Sequence, residues 1–277
     1  MQKFKRLEDL TITDDFMFSQ VMKDEEICKE VVETILGIKV GKIKFLTSQH
    51  EIEITPEAKS ITMDVYLRDE EKIINVEMQT GHKNELAKRC RYYQAVADID
   101  NTQPGDIYSK MKDNYVIFIC TFDPFLQDKA FYRFENIWMD CNPPLPLRDG
   151  TCKIFLNTMA EDLTLLDPEL KLFYDYIRRG TADSALTGRI ESSINKLKEN
   201  TEVRRKYMTY TTRIAEAKSE AFEEGIAIGE KLGEERGISL GITQAKLETA
   251  KVLKSAGVSI NLIVDSTGLS IEEIEKL

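Results

Sequence analysis

The sequence predicts an α/β protein in which a mixed β-sheet core flanked by helices is followed by an all-helical C-terminal region. Three observations lead to this fold class. Segments rich in β-branched residues lie between residues 42 and 79, and a near-continuous apolar run spans residues 115–122. After Pro168 the chain has helical spacing and no strand signal. With 277 residues the chain can hold one sizeable core and an accessory region.

The first predicted helix covers residues 24–36. Its apolar residues recur three and four positions apart and share one face, which consists of Ile27, Val31, Val32 and Ile35. Asp24 is a candidate N-cap and Gly37 a candidate C-terminal stop. We expect the apolar face to pack on a sheet.

Three strands are expected next, over residues 42–54, 60–68 and 72–79. Each segment is rich in β-branched residues, and proline or charged turns separate them. Residues 84–100 return to helical spacing, with an apolar side formed by Leu86, Cys90, Tyr93 and Ala97. The predicted order is therefore helix, strands, helix.

The apolar run at residues 115–122 has the length of a strand and predicts a central strand that is buried on both faces. Further strands are expected at residues 131–139 and 152–157. A proline-rich loop at 142–146, which cannot continue a ladder, divides them. Residues 1–165 are therefore predicted to form one domain.

A helical region is predicted over residues 166–250. Glycine recurs in it at every fourth position, as Gly225, Gly229, Gly233, Gly237 and Gly241. Each glycine costs a helix about 1 kcal/mol relative to alanine. The spacing favours either a small-residue stripe for close helix contact, which would give a homo-oligomer through residues 213–249, or a partly frayed linker.

The last segment, residues 251–277, is predicted to be a small helical hairpin. Its two short helices meet at Gly268, and Ser259 and Ser270 are candidate caps. The spacing is similar to that of a helix-turn-helix, but the second helix carries glutamates that would repel phosphates. These side chains favour a protein-docking hairpin over a DNA reader.

Composition argues against several classes of protein. No apolar run approaches the roughly 18 residues of a membrane span. The N-terminal residues do not resemble a secretory signal, so we expect a cytoplasmic protein with no membrane partner. The 5 cysteines form no CxxC pair, which argues against a disulfide framework and a zinc knuckle. With only 2 histidines, far apart, any catalysis must rest on carboxylates.

The net charge of −10 repels polyanions as a whole. The excess acid lies mainly in the first 180 residues. A nucleic-acid site on this chain would therefore have to be locally basic, and a divalent cation would offset part of the acid.

A candidate site lies on the hairpin of the second and third strands. Alternation places Asp64 on the polar face of one strand, and Glu77 and Gln79 on the polar face of the next. A hairpin that turns at Glu70-Glu71 would pair residues whose numbers sum to 141, which sets Asp64 opposite Glu77. Like charges across a ladder are destabilising unless a cation joins them. The two carboxylates are therefore either ligands of a hard ion such as Mg²⁺ or ordinary solvent-facing residues.

Several ordered motifs resemble the PD-(D/E)XK nuclease superfamily, and in particular its family of transposases, also called recombination-promoting nucleases. The resemblance rests on an aspartate followed by Glu-x-Gln on an apolar strand, which here are Asp64, Glu77 and Gln79. It covers most of the chain, through the segments at residues 13–18, 63–66, 75–79, 88–94, 115–125 and 153–158 and the glycine-spaced tail.

The resemblance implies a restriction-endonuclease-like fold and a metal-dependent DNA endonuclease, associated with recombination or transposition of mobile elements. It implies Asp64, Glu77 and Gln79 as catalytic residues, with Asp64 and Glu77 as ligands of Mg²⁺, for which Mn²⁺ could substitute. Gln79 stands where the superfamily has lysine, although this branch commonly has glutamine there. A neutral amide cannot supply the positive charge of a lysine.

Other residues could complete such a site. Similar enzymes often take a further acid from the first helix, which Asp15, Glu30 or Glu33 could supply. Glu30 and Glu33 lie opposite the apolar face of their helix and are expected to be solvated. Lys88 and Arg91 could contact DNA phosphates beside the metal, or they form an ordinary solvated helix face.

Two other functions remain open. The neutral Gln79 and the acidic balance would also suit a catalytically lapsed DNA- or protein-binding factor that keeps the nuclease fold. The third possibility is a scaffold whose activity lies in the glycine-spaced helix.

Overall fold

The computed structural model describes residues 4–52, 61–81 and 85–277. Within them the helices and strands follow in the order α1 (Asp15–Val21), α2 (Glu25–Leu36), β1 (Phe45–Ile52), β2 (Ile61–Arg68), β3 (Lys72–Gln79), α3 (Leu86–Asn101), β4 (Asp113–Cys120), β5 (Phe131–Phe134), β6 (Ile137–Trp138), β7 (Leu145–Pro146), β8 (Thr151–Asn157), α4 (Pro168–Arg179), α5 (Ala185–Glu199), α6 (Thr201–Ser255), α7 (Ile260–Thr267) and α8 (Ile271–Glu275). The chain divides after Met208 into two units.

The first unit is built on a mixed sheet, whose described strands lie in the order β1-β2-β3-β4-β8-β5. β3, β4 and β8 run parallel, whereas β1, β2 and β5 run antiparallel to their neighbours. The predicted mixed sheet is confirmed. So is its central strand, because β4 lies between β3 and β8 and its residues from Val116 to Cys120 are 0% exposed.

Helices flank the sheet. On one face, Cys90, Tyr93 and Ala97 of α3 pack with Val116 and Phe118 of β4. α1 contacts β1, β2 and α5. α5 also contacts α2 and α4. α4 and α5 therefore belong to the same unit as the sheet.

Local signals explain where α2 begins and ends. The Asp24 side chain accepts hydrogen bonds from the backbone N–H groups of Glu26 and Ile27, at 3.0 and 3.1 Å. Gly37 ends the helix in the left-handed region, with φ of 65°. Both the predicted N-cap and the predicted stop are confirmed.

The edge near the proline-rich loop differs from the prediction. The strand expected at residues 131–139 is divided into β5 and the short β6, and Leu145–Pro146 pairs with β6 as β7. The expectation that this loop cannot pair is wrong, because a proline on an edge lacks only the N–H group and keeps its carbonyl. Residues 53, 54, 60 and 84, at the ends of other predicted elements, lie outside the described residues.

The turn between β2 and β3 is organised by one buried carboxylate. Asp69, which is 2% exposed, accepts hydrogen bonds from the backbone N–H groups of Glu71 and Lys72 at 2.8 and 2.7 Å. Its other oxygen accepts from the N–H group of Gly41 at 2.8 Å. Three charge-assisted hydrogen bonds therefore fix the turn and tie it to the segment before β1.

The second unit is helical. α6 continues without a break through all five regularly spaced glycines, and a Cβ atom added at any of them would meet nothing within 4 Å. The end of α6 packs against α7 and α8 around a small core of Ala250, Ile263, Leu269 and Ile274. Gly268 joins the two short helices with φ of 68°, and Ser270 caps the second. The domain bounds predicted at residues 1–165, 166–250 and 251–277 stay a prediction.

We predict that Asp69→Ala lowers the free energy of unfolding by about 3 kcal/mol, because three backbone donors lose a charged acceptor. Burial raises the pKa of Asp69, but its hydrogen bonds outweigh that and lower the pKa overall. Its contribution is therefore present above the ordinary pKa of 3.8 and is lost as the pH falls through the lowered pKa. Urea unfolding at pH 7 measures the loss.

The matched control is Glu70→Ala, since the side chain of Glu70 is 73% exposed in the same turn. We expect it to change stability by less than about 0.5 kcal/mol. Equal losses for the two variants would contradict the role given to Asp69.

Candidate active site

The hairpin register brings the three predicted catalytic residues together. Pairs from Arg68–Ile73 to Val65–Val76 have numbers that sum to 141, so the predicted register is confirmed. Continued by one residue, it sets Asp64 opposite Glu77, and Gln79 follows Glu77 on the same face.

Asp64 and Glu77 are each bonded to the other's strand. The backbone N–H of Asp64 donates to Glu77 Oε1 at 3.0 Å, and the backbone N–H of Met78 donates to Asp64 Oδ2 at 3.1 Å. The two side chains thus accept from backbone donors at the end of the paired segment, which stops at Val65. Both carboxylates are held in fixed positions by these bonds.

β3 carries a row of buried polar side chains. Three polar side chains on one face are almost fully buried: Asn75 is 1% exposed, Glu77 is 1% exposed and Gln79 is 6% exposed. The residues that alternate with them are apolar. Burial of the carboxyl and, after it, the charge of Asp64 raise the pKa of Glu77 well above its usual range. Asp64 itself is half-buried and reaches solvent.

Arg89 of α3 contacts two of these residues at once. Its Nη2 donates to Glu77 Oε2 at 2.8 Å, and its Nη1 donates to Gln79 Oε1 at 2.9 Å. Its Nε donates to the hydroxyl of Tyr93 at 2.8 Å, and the guanidinium lies 5.0 and 5.3 Å from the ring centroids of Tyr93 and Phe118. Arg89 opposes the rise in the pKa of Glu77.

The other end of Gln79 is also bonded, because its Nε2 donates to the carbonyl of Gly81 at 2.7 Å. The amide of Gln79 is therefore oriented, with its oxygen toward Arg89 and its nitrogen toward the chain beyond β3. Asn75 lies close enough to Glu77 to lower its pKa slightly. Neither polar atom of Asn75, however, makes a well-formed hydrogen bond with a described residue.

The predicted phosphate contacts lie nearby but point elsewhere. Lys88 and Arg91 are exposed on α3. They lie one and two residues from Arg89, which turns them about 100° and 200° around the helix from the side chain that meets Glu77. Asp15 is exposed at the first residue of α1.

Glu30 and Glu33 of α2 are each engaged in an ion pair. Glu30 pairs with Arg189. Glu33 pairs with Lys39 at 2.7 Å and accepts from the backbone N–H of Val40 at 2.9 Å. The expectation that Glu33 is solvated is wrong, since its side chain is only 14% exposed.

Arg89 is a residue of the candidate site that the sequence analysis did not single out. It lies three residues after Leu86 and four before Tyr93, within the apolar face of α3. A charged residue in such a face requires a buried partner, and this was the available signal.

The donor set fits a hard divalent cation. No group of three or more His, Cys, Asp or Glu side chains suited to a metal occurs among the described residues. Two carboxylates beside an amide oxygen are nevertheless what Mg²⁺ uses when water and phosphate fill the rest of its shell. When both carboxyls are ionised, the guanidinium of Arg89 offsets only one of the two negative charges.

A mixed sheet with a carboxylate on each strand of an antiparallel hairpin defines the class of restriction-endonuclease-like proteins. The family model described as PD-(D/E)XK nuclease family transposase matches residues 13–157, just over half of the chain, and the chain belongs to this family. The resemblance and the fold class are confirmed, and the family is one of nuclease- and transposition-related proteins. No curated protein and no solved structure matches.

We predict that Glu77→Gln makes stability less dependent on pH. An acid whose folded pKa is raised contributes stability below its ordinary pKa, here 4.5, and loses that contribution as the pH rises through the folded pKa. Wild type should therefore lose stability relative to Glu77→Gln as the pH is raised from about 4.5 to 8. Urea unfolding across this range without divalent ions tests the sign.

Glu71→Gln serves as the control, because the side chain of Glu71 is 83% exposed on the same hairpin. We expect its pH profile to follow that of wild type. A wild type that gains stability over Glu77→Gln with rising pH would refute the direction given for Glu77.

Proposed function

We propose that this protein is a metal-dependent endonuclease that hydrolyses DNA phosphodiester bonds during recombination or transposition of mobile elements. One observation supports this best: Glu77, 1% exposed, accepts from the backbone N–H of Asp64, and the Asp64 carboxylate accepts from the backbone N–H of Met78 next to Glu77. Two neighbouring carboxylates, one of them buried, are costly for stability, and a bound cation accounts for them. Membership of the nuclease family agrees with this function.

Asp64 and Glu77 would hold Mg²⁺, or Mn²⁺ in its place. When bound, the ion supplies an activated water and stabilises negative charge on the phosphate. The backbone donors to both carboxylates keep their orientation fixed, which reduces the reorganisation needed in the site. Gln79 would orient a polar ligand through its amide. Asp15 as a further acid stays a prediction.

DNA would approach along α3, whose exposed Lys88 and Arg91 offer phosphate contacts on the sides of the helix turned away from Glu77. Such local positive charge is needed because the net charge of the chain is −10. Among the described residues, no helix has the length and apolar character that crossing a membrane requires. A cytoplasmic location is part of this proposal.

We predict that wild type cuts supercoiled plasmid DNA with Mg²⁺ or Mn²⁺ and not with EDTA. Asp64→Ala and Glu77→Gln should each lower the rate by at least about 100-fold, since losing even an outer partner of a metal ligand costs about 10–100-fold. Gel electrophoresis measures nicked and linear products.

Glu71→Gln should cut like wild type, which separates the loss of a ligand from a general change in charge. Circular dichroism checks that each variant is folded. A wild type that is inactive with every divalent ion tried, or site variants as active as wild type, would overturn the proposed enzyme.

A catalytically lapsed binding factor is the second candidate. It is favoured by Gln79 at the lysine position and by the guanidinium of Arg89 on Glu77. Such a factor would bind DNA in the plasmid assay without cutting it, and its affinity would not depend on Asp64. A gel-shift titration of wild type and Asp64→Ala distinguishes it from the endonuclease.

Self-association through residues 213–249 is also part of the proposal. Phe222, Ile226 and Leu240 are exposed on α6. Leu240 lies eighteen positions after Phe222, which is five turns at 3.6 residues per turn, so both side chains lie on one straight face with the central glycines. A second copy of this helix could approach closely there.

We predict that Gly233→Leu weakens self-association, so that the mass of the particle in solution falls toward that of one chain. A large side chain at this position would separate two helices that meet at this face. Gly233→Ala should preserve association and stabilise the helix by up to about 1 kcal/mol. Sedimentation velocity of both variants measures the mass. A wild type that is monomeric at all concentrations would contradict self-association.

A further inference from the structure

Arg89 has two separable sets of contacts. One set anchors it to its own helix and to the sheet, through the hydroxyl of Tyr93 and the rings of Tyr93 and Phe118. The other set uses the two terminal nitrogens, which donate to Glu77 and Gln79. The side chain is 28% exposed, so part of it reaches solvent beside the hairpin. A molecule bound at the hairpin would meet it.

The charges at the hairpin make the contacts of the two terminal nitrogens depend on whether a cation is bound there. Asp64 and Glu77 together carry up to two negative charges. The positive charge of Arg89 lies in contact with Glu77. A divalent cation shared by the two carboxylates would replace the guanidinium as the counter-charge of Glu77 and would repel it. The anchor at Tyr93 involves no carboxylate and would remain.

We propose that Arg89 is a latch that pairs with Glu77 and Gln79 in the cation-free site and donates to a DNA phosphate in the loaded site. The proposal rests on the function proposed above. Arginine suits this role because it is always charged and its fork of N–H donors matches phosphate oxygens. It would also supply, from α3, the positive charge that Gln79 lacks on β3.

The latch predicts that cation binding and DNA binding strengthen each other, since release of Glu77 frees donors for phosphate. Such coupling is reciprocal between two ligands. A purely structural role for Arg89 predicts something different. If Arg89 only held Glu77 in place, its loss would weaken cation binding and leave the coupling as it was.

The test measures DNA affinity with and without Ca²⁺, using a short fluorescent duplex that is checked afterwards for cuts, and measures Ca²⁺ affinity by calorimetry. Arg89→Met keeps an apolar stem against the two rings and removes the charge. We expect Ca²⁺ to raise DNA affinity by at least about 10-fold more in wild type than in Arg89→Met. Without DNA, Arg89→Met should bind Ca²⁺ at least as tightly as wild type, because a competitor for Glu77 is gone.

Arg91→Met is the matched control from the exposed face of the same helix. It should weaken DNA binding equally with and without Ca²⁺, which leaves the coupling unchanged. Arg89→Lys, a second variant that keeps the charge, should retain part of the coupling. It covers the case in which Arg89→Met does not fold.

Two results would overturn the latch. One is a coupling in Arg89→Met or Arg89→Lys equal to that of wild type. The other is a loss of Ca²⁺ binding in Arg89→Met with the coupling intact. Either result leaves the endonuclease standing if wild type cuts plasmid DNA, whereas a wild type that binds no divalent cation removes both proposals.

Discussion

The register of the β2–β3 hairpin is the constraint on which the site depends. Side chains alternate along a strand, so a slip of one residue would turn Glu77 to the opposite face and separate it from Asp64. Asp69 prevents such a slip by accepting two backbone N–H groups at the turn and one from the segment before β1. A carboxylate with no chemical role therefore determines where the two candidate ligands meet.

The same hairpin keeps polar groups where apolar ones would be more stable. Asn75, Glu77 and Gln79 are buried on one face of β3, and a buried polar group costs free energy unless its hydrogen bonds are made. Glu77 and Gln79 have partners on both sides, but the amide of Asn75 has none of good geometry among the described residues. A strand that retains this cost is typical of a site where stability yields to function.

Strand alternation and turn chemistry were sufficient to predict the sheet, its central strand and the register of the hairpin, because each is a local property of the sequence. The partner of Glu77 was not predictable in the same way. Lys88, Arg89 and Arg91 are three cations of one helix, and the packing of α3 on β4 decides which one faces β3. Helical spacing carried part of that information, since Arg89 alone of the three lies within the apolar face.

Because Gln79 is neutral, the positive charge beside Glu77 comes from Arg89 of the neighbouring helix α3. A lysine on β3 would remain beside the carboxylates whatever they bind, because the strand fixes its position. An arginine on α3 is attached to a different element, and Tyr93 and Phe118 hold its stem and Nε independently of Glu77. Its terminal nitrogens can therefore exchange one anion for another while the anchor persists. Moving the positive charge from the strand to the helix thus makes it responsive to the occupancy of the hairpin.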